Sequence, residues 1–172
     1  MIPDSVKASI SKALFLLPPA MTSPEARVML FAIGLQESRF THRFQVVQGR
    51  PGVKGPARGF WQFERMGGCK GVVNHAASRY WMHHLCQTRG VDFTATAIWN
   101  AVEHDDVLAA GAARLLLFTD PKKLPALGED NTAWNYYLRG WRPGAWDRGT
   151  TAQRAELRAK WSRNYAEAQG AL

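Results

Sequence analysis

Residues 24–38 are the segment that most restricts how this chain can fold. Ser23 is a favoured N-cap residue, and Pro24 suits the first position of a helix. The apolar residues that follow point to every side of that helix: Val28, Leu30, Phe31, Ile33 and Leu35. A helix without a polar face belongs inside a core, so the other elements must surround it. Glu37 lies in its last turn.

The rest of the chain predicts a mainly α protein of the α+β type, a bundle of about six to eight helices. Residues 40–69 are rich in glycine and contain two prolines, which indicates a small irregular, β-poor lobe. Two β-prone pieces, 44–47 and 60–63, allow one small hairpin there. Apolar periodicity and capping residues predict further helices over residues 4–17, 74–88, 94–102, 105–118, 130–141 and 151–168.

A chain of 172 residues with 46% hydrophobic residues suits one domain covering residues 1–172. We expect its N-terminal helix, within 1–20, to be covered by a C-terminal helix within 145–172. No secretory signal and no apolar run of about 20 residues is evident, so we expect a soluble monomer without a transmembrane segment. The net charge of +8 favours polyanions but does not choose between nucleic acid, anionic lipid and cell-wall polymers.

The two cysteines, Cys69 and Cys86, are too few for a disulfide framework and are predicted to be reduced and buried. His75, His83 and His84 lie in the same stretch, but the spacing matches no familiar zinc pattern. We therefore expect no metal site and no cofactor.

Glu37 is the residue whose position suggests chemistry. A carboxylate at the C-terminal end of a helix meets the negative end of the dipole, and partial burial adds to the cost of its charge. Both effects raise its pKa from about 4.3 toward the range of about 6–7 that suits a general acid. The alternative is an exposed glutamate, or one paired with Arg39 or Arg43.

Three segments in order add to this observation. They are Gln36–Ser38, Gly59–Glu64 and Ala133–Tyr137. In order and spacing they resemble the signatures of the soluble lytic transglycosylases and goose-type lysozymes. Their residues are most similar to those of lysozyme-like proteins of tailed bacteriophages. The resemblance covers about residues 28–144 and implies a lysozyme-like fold.

The resemblance also implies roles for single residues. Glu37 corresponds to the acid that protonates the glycosidic oxygen, and Ser38 to a hydroxyl near the acid or the substrate. Gln62 corresponds to a cleft glutamine that binds a sugar, and Asn135 to the asparagine of the third segment. Trp134 stands where the family has tyrosine. Tyr137, one helical turn later, is the residue that could supply the missing phenol.

Aromatic and acidic residues complete the candidate site. Sugar rings stack on aromatic faces. Four aromatic residues are therefore candidate substrate contacts, although several of them could equally belong to the core: Trp61, Tyr137, Trp141 and Trp146. Glu64 is the best-placed second carboxylate and a further substrate-binding candidate. More remote carboxylates are Asp92, Glu103, Asp105 and Asp106. If none of these acts, the resemblance implies transglycosylation, in which the sugar's own 6-hydroxyl attacks.

The expected function is cleavage of the β-1,4 bond between N-acetylmuramic acid and N-acetylglucosamine in peptidoglycan. The resemblance implies either an endolysin, which passes from the host cytoplasm to the periplasm and wall with the help of a holin, or an enzyme carried in the phage virion. Two alternatives stay open. A non-catalytic wall-binding or virion structural module would keep wall binding without lysis. A basic nucleic-acid-binding protein, which we do not expect, would bind DNA with a steep dependence on salt.

Overall fold

The computed structural model describes the whole chain, Met1–Leu172, and its centre is helix α2 (Pro24–Glu37). Ten residues of this helix are buried, as its lack of a polar face predicts. Its N-terminus is also as predicted, because the Ser23 hydroxyl accepts a hydrogen bond from the Ala26 amide at 3.1 Å. Glu37 is the last residue of the helix.

The fold is mainly helical with a small sheet, in agreement with the predicted fold class. Nine α-helices are present, one more than the upper bound expected, because two short ones give no clear periodic signal. The others besides α2 are α1 (Asp4–Phe15), α3 (Lys70–Asn74), α4 (Arg79–Arg89), α5 (Ala95–Ala101), α6 (Asp106–Phe118), α7 (Asp130–Trp141), α8 (Gly144–Asp147) and α9 (Thr151–Gln169).

Most predicted helix ends are confirmed, and two need correction. Asp105 caps α6, and Thr150 caps α9 with a full capping box. The predicted helix over 74–88 is divided into α3 and α4, because residues 75–78 form a turn held by Ser78, whose hydroxyl donates to the Val72 carbonyl. Helix α1 ends at Phe15, before the Pro18-Pro19 pair, and a 3-10 turn follows.

The terminal helices pack differently from the expectation. Helix α9 lies mainly against α2, and α1 lies mainly against α6. The expected packing of α9 on the N-terminal helix is thus wrong in its main partner, because the apolar α2 offers the larger buried surface. The two ends of the chain meet at the ion pair between the Met1 amine and the Glu167 carboxylate, 2.6 Å apart.

The lobe at residues 40–69 contains an antiparallel sheet of three short strands in the order β1 (Phe44–Val46), β2 (Lys54–Arg58) and β3 (Phe63–Glu64). The first β-prone piece is a strand, but the second is mostly a turn, residues 59–62. A π-helical turn, Arg65–Cys69, then leads into α3. Cys69 and Cys86 are both buried and unpaired, as predicted. None of the helices is long and apolar enough to cross a bilayer.

Candidate active site

Glu37 lies in a cleft of about 320 Å³ between the sheet lobe and the C-terminal half of α7. We call this the Glu37 cleft. Its lining includes Gln62 and Glu64 from the lobe, and Trp141 and Gly144 from the opposite side. Because Glu37 ends α2, its side chain leaves the core and is only half-buried. A carboxyl group is thus available to a molecule of sugar size inside a concave site.

Tyr137 holds the Glu37 carboxyl group from α7. Its hydroxyl donates a hydrogen bond of 2.6 Å to Glu37 Oε1. The Tyr137 ring is buried and stacks on Trp161, with ring centroids 4.8 Å apart. Burial, together with the charge of Glu37 and this hydrogen bond, raises the pKa of Tyr137 well above its usual value. Tyr137 therefore stays protonated and remains a donor, as the sequence suggested for this residue.

The pKa of Glu37 is raised to about 7, and burial is the main cause. The hydrogen bond from Tyr137 and the charge of Lys160 act in the opposite direction, whereas the charge of Glu64 raises the pKa further. At neutral pH the group is therefore divided between acid and carboxylate. A carboxyl group in this state can donate a proton in one step and accept one in the next.

Lys160 is a part of the site that sequence reasoning missed. Its ammonium donates to the Gln36 carbonyl at 2.5 Å, one residue before Glu37. Gln36 also accepts a hydrogen bond from the Asn164 amide at 2.8 Å, so α9 is joined to the end of α2 at two points. Burial lowers the pKa of Lys160, and Glu37 partly restores it. No local pattern marks Lys160, because its contact is 124 residues distant.

The two arginines that could have neutralised Glu37 are engaged elsewhere. Arg39 contacts Asn164 at 3.2 Å and Glu167 at 3.3 Å on α9. Arg43 forms an ion pair with Asp106, with Nη1 and Oδ1 2.6 Å apart. The alternative that Glu37 is an ordinary surface ion-pair partner of Arg39 or Arg43 is therefore wrong.

Left-handed backbone occurs at one residue that lines the Glu37 cleft and at three residues near it in the sequence. Only four non-glycine residues have a positive φ: Arg39 (52°), Phe40 (56°), Gln62 (51°) and Arg142 (46°). The first two follow Glu37 closely, Gln62 lines the cleft, and Arg142 follows Trp141, which also lines it. Left-handed backbone is unfavourable for residues with a side chain, and it concentrates at sites where geometry has a function. Of these four residues Gln62 is the one that lines the cleft, and its strained turn is the feature that marks the cleft as a place where geometry has a function.

Three of the predicted side chains line this cleft together with Glu37. The prediction that Tyr137 contacts substrate is corrected, because its ring is buried and lies outside the lining, and its hydroxyl binds Glu37 instead. Gln62 and Glu64 enter from the lobe, and Trp141 closes the other side. Gln62 Nε2 donates to the Gly59 carbonyl at 2.9 Å, which fixes the amide in the turn. Trp141 Nε1 donates to the Trp61 carbonyl at 2.9 Å, which links the two walls. The cleft therefore combines a half-buried aromatic face with amide and carboxylate groups.

Three further residues that were predicted to bind substrate do not line the cleft either. Trp61 is fully buried, and its indole donates to the Leu30 carbonyl inside the core. Ser38 is also buried, and its hydroxyl donates to the Phe60 carbonyl at 2.7 Å, so it fastens the turn after β2. Asn135 is exposed on α7, because two residues from Tyr137 correspond to about 200° around a helix. These three assignments are corrected to structural or surface roles.

The more remote carboxylates are absent from the cleft lining. Glu103 pairs with Lys54 and Arg58, which ties β2 to the segment before α6. Asp105 caps α6, and Asp106 binds Arg43. Asp92 is exposed in the loop before α5. Glu64 is thus the second carboxylate of the Glu37 cleft.

Trp146, the remaining aromatic candidate, packs on the core. It is half-buried and lies edge-on against the buried Trp134, with ring centroids 5.1 Å apart. Neither lines the Glu37 cleft.

No family model, curated protein or solved structure matches the chain. What the cleft can do chemically therefore follows from its own geometry. That geometry consists of one acid with a raised pKa, a protonated phenol, a second carboxylate and a strained turn.

Proposed function

We propose that this protein cleaves the β-1,4 bond between N-acetylmuramic acid and N-acetylglucosamine in peptidoglycan, with Glu37 as general acid and base. The observation that carries the proposal is the Glu37 carboxyl group, half-buried in a cleft, with its pKa raised to about 7. Glycoside cleavage needs such an acid, because the departing sugar oxygen must receive a proton as the bond breaks. The resemblance of the three sequence segments supports the same reaction.

In the first step Glu37 gives its proton to the glycosidic oxygen, and the bond to the anomeric carbon of the muramyl residue breaks. Positive charge develops on that sugar ring. The Glu37 carboxylate that remains is stabilised by the Tyr137 hydroxyl and by the charge of Lys160, since both lower its pKa. These two residues therefore limit how far burial can raise the pKa, and they keep both protonation states accessible.

In the second step a nucleophile attacks the anomeric carbon and returns a proton to Glu37. If the nucleophile is the muramyl 6-hydroxyl, the product carries a 1,6-anhydro ring, and no protein nucleophile is needed because the attack is intramolecular. If it is water, Glu64 is the group in the cleft that could orient it, and the product has a reducing end. The two outcomes differ in mass by one water molecule.

The decisive experiment incubates purified sacculi with the wild-type protein and with Glu37→Gln, followed by mass analysis of the fragments. Wild type is expected to release muropeptides, and the variant to lose this activity while it still sediments with the sacculi. Asp92→Asn is the matched control, because it removes one exposed carboxylate outside the cleft. Intact glycan after wild-type treatment would reject the proposal. Sustained binding without cleavage would instead favour the wall-binding alternative.

The proposed place of action is the bacterial wall, reached from a virion or from the host cytoplasm through a holin-dependent route. The net charge of +8 suits approach to an anionic envelope. Two lysis assays separate the two routes. The first adds purified protein to cells from outside, and the second expresses the protein inside a host with and without a membrane-permeabilising partner.

A further inference from the structure

A second cavity, of about 610 Å³, lies between α8 and α9 beside the Glu37 cleft. We call it the α9 cavity. Its charged lining residues are Arg148, Glu156, Lys160 and Arg163. Since three are cationic and one is anionic, the cavity has a clear excess of positive charge. The spacing of 156, 160 and 163 places the last three on one face of α9.

We infer that the α9 cavity is an anion subsite that binds free carboxylates of the peptide stem on the muramyl residue. The inference rests on the proposed function and adds a substrate determinant to it. In peptidoglycan the sugar backbone is uncharged, and the stem peptide supplies carboxylates beside the bond that is cut. An uncharged glycan such as chitin has none.

The two cavities are continuous. Gly144 and Ala145 line both of them. The Arg148 guanidinium lies directly over Gly144, so close that a side chain at position 144 would collide with it. Arg148 therefore stands where the α9 cavity joins the Glu37 cleft.

The arginines of the α9 cavity are free to bind a ligand. Neither Arg148 nor Arg163 has an acidic partner within 4 Å, which they share with seven other arginines, while the remaining six are ion-paired. Both are exposed. Lys160, by contrast, is engaged with the Gln36 carbonyl and joins the cavity to the end of α2. A guanidinium without a partner can bind a carboxylate through two parallel hydrogen bonds, which a lysine cannot do.

The test compares initial cleavage rates on two substrates, intact sacculi and sacculi whose free stem carboxylates have been converted to neutral amides by carbodiimide coupling to methylamine. The double variant Arg148→Gln/Arg163→Gln is expected to raise KM for the intact sacculi about tenfold, the size expected for two partly exposed charged contacts. On the amidated sacculi its rate should stay within about twofold of wild type. Arg79→Gln, which removes an exposed arginine outside both cavities, should alter neither rate.

Each outcome has a distinct meaning. Equal losses on both substrates, or no loss on the intact sacculi, would overturn the inference and leave the proposed function intact. Wild type that cuts neither substrate would remove the proposed function and the inference together. Binding is measured separately with the same arginine changes in the Glu37→Gln protein, and unchanged affinity for intact sacculi would also overturn the inference. If the arginine changes weakened binding to single-stranded DNA but not binding to sacculi, the cavity would be reassigned as a phosphate-binding site.

Discussion

Replacing Glu37 by glutamine should stabilise the protein at alkaline pH, although it should remove the proposed activity. The unfolded chain releases this proton near pH 4.5, whereas the folded protein keeps it until about pH 7. Folding between these values takes up a proton, so the free energy of unfolding falls as the pH rises. The favourable contribution of the neutral acid is complete below pH 4.5 and is lost above pH 7.

The magnitude follows from the pKa itself. The values 4.5 and about 7 differ by about 2.5 pH units, and each unit corresponds to about 1.36 kcal/mol. At pH 8 the free energy of unfolding of the wild-type protein is therefore lowered by about 3 kcal/mol, a loss that Glu37→Gln does not have. At pH 4 this loss is close to zero. Glutamine has nearly the same shape and can still accept the Tyr137 hydroxyl, so other contributions cancel between the two pH values.

The assay is urea unfolding of both proteins at pH 4 and pH 8, followed by circular dichroism. The quantity of interest is the change in the stability difference between the two pH values. Glu156→Gln, which alters an exposed glutamate on α9, should show a change below about 0.5 kcal/mol. A stability difference between wild type and Glu37→Gln that is the same at both pH values would refute the reasoning, because the fold would then not hold Glu37 neutral.

Two further predictions concern the contacts around this acid. Tyr137→Phe removes a hydrogen bond that lowers the pKa of Glu37, so the alkaline limb of the pH–rate profile should move to higher pH, while the exposed Tyr80→Phe leaves it in place. Ser38→Ala leaves the buried Phe60 carbonyl without its partner and should lower the free energy of unfolding by about 1–3 kcal/mol; a loss no greater than that of the exposed Ser5→Ala would contradict this role.

The helices that carry the site could be predicted from the sequence because their signals are local. Ser23 and Pro24 fix the start of α2, and apolar periodicity fixes its burial, so Glu37 at its end could be identified without a structure. Capping residues likewise predicted where α6 and α9 begin. The three strands were harder to predict, since each is short and three of the four residues of the second β-prone piece form a turn.

The roles of side chains in the lobe could not be predicted in the same way. Trp61 and Gln62 are adjacent, but Trp61 is buried in the core and Gln62, in the left-handed region, lines the cleft. Which of the two enters the core depends on the fit of the turn against α2, where the Trp61 indole donates to the Leu30 carbonyl, and no local pattern records that fit. Lys160 escaped prediction for a related reason, because only the packing of α9 on α2 brings it to Glu37.

The surroundings of Glu37 come from parts of the chain that leave the ribosome far apart in time. Tyr137 follows it by 100 residues, and the Lys160 contact spans 124. A nascent chain that still lacks α7 and α9 leaves this carboxyl group hydrated and as acidic as any glutamate in a peptide. The complete surroundings of this acid, including the Tyr137 hydrogen bond and the link from Lys160 to the end of α2, therefore form only when the last long helix has docked.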